Sequence, residues 1–145
     1  MYLVPIHQHP EQNLEFLNHP LCKDNVSMTT DFYRIVGFHP PWIGYYAKQD
    51  EIIVGAAGFK GPPKEGTVEI AYGTFEEFRQ KGVGTEMCRL LIELALRADS
   101  EVNITARTFD RNNFSTRILE RNSFVYRSQV EDPEDGLVSE WIYQR

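Results

Sequence analysis

Seven consecutive residues, Arg79-Gln80-Lys81-Gly82-Val83-Gly84-Thr85, have the types and spacing to hold an anion. They lie between a strand-like run that ends near Phe75 and a strongly apolar helical run, so a glycine-containing turn opens directly into a helix. In that geometry several backbone N–H groups converge on one point, and the helix dipole adds partial positive charge there. Gly82 and Gly84 remove side chains that would keep a bulky pyrophosphate away. Arg79, Lys81 and the Thr85 hydroxyl add donors. A dinucleotide fingerprint needs a third glycine where Met87 stands and an acidic residue ending the next strand, and neither is present. A P-loop needs a lysine directly before the hydroxyl residue, but Gly84 precedes Thr85. On the turn alone, a glycine-terminated loop that merely starts a helix stays open as a third reading.

The elements around the turn follow from hydrophobic periodicity. Residues 11–38 carry a helical pattern through Leu14, Phe16 and Leu17 and then Phe32, Tyr33, Ile35 and Val36. His19-Pro20 divides it into two helices, and Gly37 with His39-Pro40-Pro41 ends the second. Strands are expected at 1–6, 42–48, 51–60 and 67–75, with a plain turn at 61–66. A helix over about 84–97 has one narrow polar stripe, Glu86, Arg89, Glu93 and Arg97, and is expected to be buried over most of its circumference. A strand at 102–109, a short helix at 113–122 and strands at 124–130 and 137–143 complete the chain. The strand–helix–strand unit in the middle requires a parallel pair, whereas the flanking meanders favour antiparallel pairing. The expected fold is a single α/β domain over 1–145: a mixed, mostly antiparallel seven-stranded sheet with a central parallel pair and helices on both faces.

Arg79-Gln80-Lys81-Gly82-Val83-Gly84 matches the pattern (Gln/Arg)-x-x-Gly-x-(Gly/Ala), and so resembles the acetyl-CoA signature of the GNAT superfamily of N-acetyltransferases. Val68-Glu69-Ile70-Ala71-Tyr72-Gly73, followed by the turn and Thr85-Glu86, is similar to the RimJ/RimL-type branch, which acetylates ribosomal-protein N-termini. A second stretch, from Asn112-Asn113-Phe114-Ser115 through Ile118-Leu119-Glu120 to Phe124, resembles that branch's Asn-x-x-Ser-x-x-(Val/Ile)-Leu-Glu-Lys-x-Gly-Phe block. The resemblance covers roughly residues 42–130. It implies that the central parallel strands splay and that the pantetheine arm of acetyl-CoA lies in the gap, bonded by backbone at Tyr72, Gly73 and Thr74. The turn, Arg79, Gln80, Lys81, Gly82, Val83, Gly84 and Thr85, would hold the pyrophosphate. Asn112 would bond the pantetheine, Ser115 would stand near the thiol and protonate the leaving thiolate, and the Tyr72 amide would face the charge that develops on the thioester oxygen. There are two departures from the family pattern. Leu119 stands where many members carry a tyrosine acid, and Ser123 replaces a glycine, leaving Asn122 to take the left-handed cap.

The implied reaction transfers acetyl to a primary amine, either a peptide N-terminus or a small cationic amine, by direct attack in a ternary complex. A base must then accept a proton, and Glu69 on the splayed strand is the candidate; the competing reading is a carboxylate on a solvated strand face or in a cross-strand ion pair. The alternative function is a non-catalytic acyl-CoA-binding sensor or regulatory module. No metal is expected, because His7, His9, His19 and His39 read as loop residues and Cys22 and Cys88 lie far apart. A net charge of −6 without basic clusters argues against direct nucleic-acid binding and favours a cationic acceptor, steered by Glu131, Asp132, Glu134 and Asp135. The apolar runs are too short for a membrane span, and a cytoplasmic monomer or homodimer is the expected state.

Overall fold

Seven strands among the described residues form one sheet, built as two antiparallel halves. The first half contains β1 (Tyr2–Pro5), β2 (Gly44–Gln49), β3 (Ile52–Phe59) and β4 (Thr67–Thr74). The second contains β5 (Asn103–Thr108), β6 (Phe124–Asp132) and β7 (Gly136–Tyr143). The strand order is β1-β2-β3-β4-β5-β7-β6. These features come from a computed structural model that describes residues 1–109 and 114–145. The halves meet at a short parallel seam, which runs from Thr67↔Asn103 to Ile70↔Ala106. Beyond it β4 continues to Thr74 beside β3, ending at Gly55↔Thr74, while β5 continues to Thr108 beside β7, ending at Thr108↔Ser139. Each strand follows its own neighbours, so the two halves part as a fork.

Helices cover both faces, as expected. On one face lie α1 (Leu14–Leu17) and α2 (Val26–Val36). Helix α2 buries Val26, Thr30 and Tyr33, a four-then-three spacing that forms one stripe. The Tyr33 hydroxyl donates to the Ile6 carbonyl at 2.8 Å and accepts the Gly44 amide at 2.9 Å, tying the end of the first strand to the start of the second. The first of the two expected helices is only one turn long. Phe16 is its single buried residue, with its ring 4.6 Å from Tyr46. What orders this segment is Asn13, which is buried: its side chain accepts the His7 amide and donates to the carbonyls of His7 and His9.

On the other face lie α3 (Val83–Ala98) and α4 (Phe114–Arg121). Val83, Met87, Cys88, Leu91, Ile92 and Ala95 of α3 are buried, and Leu91 alone is worth about 2–3 kcal/mol of apolar burial. The polar stripe is an ion ladder in which Arg89 meets Glu86 and Glu93 and Arg97 meets Glu93. Leu90, Leu94 and Leu96 are only half-buried, so the helix is less enclosed than its composition suggests. After α4 the left-handed residue is Ser123 itself (φ 67), not Asn122. The Asn122 amide instead donates to the carbonyls of Ile118 and Thr85, binding α4 to α3.

Candidate functional site

Backbone polarity in the fork is fixed by strand alternation. The Lys60 amide bonds the Glu69 carbonyl and the Phe75 amide bonds the Val54 carbonyl, so Glu69, Ala71, Gly73 and Phe75 turn their backbone groups toward β3. Ile70, Tyr72 and Thr74 therefore turn theirs toward β5. Because the parallel seam ends at Ile70↔Ala106, no strand partner among the described residues reaches the amides and carbonyls of Tyr72 and Thr74. Gly73 was expected to offer backbone to the gap, but its polar groups belong to the β3 ladder. Its contribution is instead an absent side chain, since a Cβ built there meets nothing within 4 Å.

At the open end of the fork stands the turn before α3. Gln80 (φ 64) and Gly82 (φ 79) are both left-handed, and Gly82 is the N-cap, with no side chain capping the helix. The first intrahelical bond of this turn runs from the Glu86 amide to the Gly82 carbonyl, so the amides of Val83, Gly84 and Thr85 have no intrahelical partner and no backbone partner among the described residues. A Cβ on Gly82 meets nothing within 4 Å, which leaves that approach open. Gly84 is different: its Cβ would stand 2.6 Å from Ile118 Cδ1 and 3.5 Å from Thr74 Oγ1. Its smallness lets α4 and the end of β4 close on α3 rather than admitting a ligand, contrary to the sequence reading. Arg79, Gln80 and Lys81 are exposed around this mouth, and Arg79 Nε lies 3.5 Å from the Thr74 carbonyl.

Ser115 is half-buried on α4, three residues before Ile118 and hence on the side of that helix that packs over Gly84. Asn112 lies outside the described residues. Leu119, at the position of the family tyrosine, is fully buried. The Tyr72 ring turns to the α3 face and meets the Cys88 thiol. Burial pushes the phenol above its ordinary range and the thiol up to about 12. Burial also raises Cys22 to about 11, so neither cysteine supplies a thiolate at neutral pH.

On the opposite face of β4, Glu69, Ala71 and Gly73 line a cleft of about 740 Å³ bounded by α2, β2, β3 and the β6–β7 turn. Its floor is small residues, Ala56, Gly58, Ala71 and Gly73, and Met28 and Phe32 of α2 form an apolar lip. Tyr33, Tyr45 and Tyr46 also line it, and their hydroxyls all bond within the protein. Glu69 is ion-paired, with Lys60 Nζ at 3.0 Å and Arg107 Nε at 3.6 Å. The acidic hairpin is also partly neutralised: Asp132 bonds Arg107 at 2.8 Å, and the Glu134 amide, the Arg107 guanidinium and the Asp135 amide hold its carboxyl down at about 2. Lys60, Arg107 and Glu140 escaped the sequence reading. The available signal was a single charge in the otherwise buried run Ile104-Thr105-Ala106-Arg107-Thr108. Among the described residues no group of three metal-ligating side chains converges, and no helix is long and apolar enough to cross a membrane.

The sequence matches the acetyltransferase (GNAT) domain family over residues 2–125. Over 97 residues it is 34% identical to an uncharacterized N-acetyltransferase of Bacillus subtilis, YjdG, a match covering 66% of this chain and 55% of that protein. The chain thus spans about half the length of this curated relative. Its fold is similar to that of aminoglycoside acetyltransferase AAC(6')-Ib solved with coenzyme A and kanamycin, with a TM-score of 0.68 and 20% identity over 99% of this chain and 93% of that one. It is also similar to RimL, a ribosomal L7/L12 alpha-N-protein acetyltransferase solved with coenzyme A, with a TM-score of 0.66 and 15% identity over 84% and 70% of the two chains. A family match over most of the sequence, carried on a forked sheet with a bare helix N-terminus at its mouth, places the chain: it belongs to the GNAT acetyltransferase family.

Proposed function

We propose that the chain transfers acetyl from acetyl-CoA to a primary amine in a ternary complex, by direct attack of the amine nitrogen on the thioester carbon. The observation that carries this reading is the fork. Backbone of Tyr72 and Thr74 that β5 does not pair lines one side of β4, and a cleft floored by Ala71 and Gly73 opens across the same strand. Acyl donor and amine acceptor would meet through a single strand, without a covalent enzyme intermediate. That fits a site in which both cysteines are buried and neither lines the cleft.

In this scheme the amides of Val83, Gly84 and Thr85 take the pyrophosphate with help from Gly82, Arg79, Gln80 and Lys81. Tyr72 and Thr74 bond the pantetheine, joined by Asn112 and Ser115 as the family resemblance implies. The Tyr72 amide donates to the oxyanion, Glu69 accepts the amine proton directly or through water, and Ser115 returns a proton to the thiolate as the C–S bond breaks. The two sequence blocks support the RimJ/RimL-type branch, and hence a peptide N-terminus or a small cationic amine as acceptor.

A second reading, an acyl-CoA-binding module without turnover, has one observation in its favour: Glu69 is engaged by both Lys60 and Arg107. The test is purified protein with acetyl-CoA and a panel of peptides, polyamines and amino sugars, followed by mass spectrometry of the acceptor. Acetylated amine at a rate proportional to protein establishes the transferase. Micromolar binding of CoA with no acetylated product from any acceptor assigns the chain to the second reading.

A further inference from the structure

Past the last paired residues of the seam, Ile70 and Ala106, the guanidinium of Arg107 bridges the two halves of the sheet on the cleft face. It meets three carboxylates on three strands: Glu69 of β4 at 3.6 Å, Asp132 of β6 at 2.8 Å and Glu140 of β7 at 3.3 Å. Asp132 also accepts the amides of Glu134 and Asp135 at 2.9 and 3.1 Å, which shapes the turn whose Pro133 and Glu134 form one wall of the cleft. These side chains are well shielded: Asp132 is 8% exposed, Glu140 14%, Glu69 18% and Arg107 25%. Pairs this enclosed and hydrogen-bonded are screened far less than surface ion pairs. Without the guanidinium, Glu69, Asp132 and Glu140 would face one another, relieved among the described residues by Lys60, which acts on both Glu69 and Asp132, and by Arg127 3.8 Å from Glu140. A lysine does not replace it, because only the planar fork offers donors in several directions at once.

We infer that Arg107 is the positioning residue of the acceptor cleft: it locks the Asp132–Glu134 turn to β4 and aims Glu69, and so sets how the amine is held. This rests on the transferase reading above. The acyl-CoA slot does not share the dependence, because its parts are the fork backbone of β4 and the N-terminus of α3.

The experiment combines Arg107→Ala, Arg107→Lys, Asp132→Asn and the double variant Arg107→Ala/Asp132→Asn. Three quantities are read: steady-state constants for an amine that the wild type acetylates, CoA affinity by calorimetry, and amide hydrogen exchange of residues 131–138. Arg107→Ala is expected to raise the amine KM about tenfold or more, with CoA affinity unchanged. Arg107→Lys recovers part of that loss. Asp132→Asn acts in the same direction, and the double variant is no worse than Arg107→Ala, because both remove one link. Hairpin exchange quickens in Arg107→Ala and Asp132→Asn whether or not any amine is turned over, so a wild type without turnover defeats the transferase reading and leaves this test intact. Wild-type exchange and KM in Arg107→Ala, additive effects in the double variant, or a parallel fall in CoA affinity would each overturn the assignment. If Arg107→Ala does not fold, unchanged hairpin exchange in Asp132→Asn overturns it instead.

Discussion

The two sides of β4 are built from different materials. On the fork side the polar groups are largely main chain, the amides that donate and the carbonyls that accept at Tyr72 and Thr74, with the bare first turn of α3. On the cleft side the polar groups are side chains, Lys60, Glu69, Arg107, Asp132 and Glu140, brought from separate strands and loops into one ion network. A main-chain site depends on where the backbone runs and is nearly indifferent to neighbouring residue types. A side-chain network depends on each member. Substitutions should therefore divide the protein into two sets, one moving acyl-CoA binding and the other moving amine chemistry.

The largest effect is expected on the cleft side. Glu69→Gln keeps the shape of the side chain and removes its proton-accepting ability, so turnover should fall about hundredfold at neutral pH with CoA affinity intact. The loss should narrow as pH rises and free amine accumulates. A flat, wild-type pH–rate profile would take Glu69 out of the chemistry and leave it as an ion-pair residue. On the fork side, Gly82→Val forces a branched residue into a left-handed position, at φ 79, and so displaces the cradle's backbone. CoA affinity should drop on the order of tenfold, measured by calorimetry, while the chain stays folded. Wild-type affinity in that variant would break the main-chain account of the cradle.

Ser115→Ala comes next, with turnover down several-fold, on the order of one hydrogen bond, and CoA affinity moved less. An unchanged maximal rate would mean that water protonates the thiolate. The hairpin should also respond to acid. The Asp132 carboxyl is held down at about 2, against an ordinary value of about 3.9, so its stabilising contribution is complete above the ordinary value and disappears as pH falls through the lower one. Hydrogen exchange of the hairpin should quicken over that window in the wild type and be insensitive to it in Asp132→Asn. The smallest effect concerns Gln80, a non-glycine residue at φ 64. Gln80→Gly should raise stability by up to about 1 kcal/mol in chemical denaturation, and a loss of stability would show that the turn is not strained there.

The fork side was largely legible in the sequence because its signals are local. Seven strands, the parallel pair around α3, the polar stripe of that helix and the turn at 79–85 all come from periodicity and glycine spacing over short windows. Even there, local reasoning gave Gly84 to the ligand, whereas its partner is Ile118, thirty-four residues further on in an element that no local pattern links to it. The same limit explains Ser123, whose left-handed backbone was assigned to Asn122 because asparagine tolerates it better; the Asn122 side chain was instead needed to join two helices. On the cleft side, Glu69 was found through its position beside the motif. Its partners were not, since their convergence depends on which strands pair and in what register. The acidic hairpin was read as a free field for cations, and the pairing of Asp132 with Arg107 shows why charge counted along a chain differs from charge presented to a ligand.

The enclosure of the two cysteines has a practical consequence for assay design. Cys22 and Cys88 have no exposed surface, and burial raises both thiols well above neutral pH, to about 11 and about 12. A thiol-reactive chromophore added to a turnover mixture would find little to modify on the folded protein, so its colour would report the sulfhydryl liberated from acetyl-CoA with a low protein blank. The same reagent becomes a clock for loss of structure: once the chain opens, two equivalents per molecule are released to it. One cuvette can therefore test the proposed release of CoA by the intact protein and, with acetyl-CoA omitted, follow the decay of that protein with time or temperature.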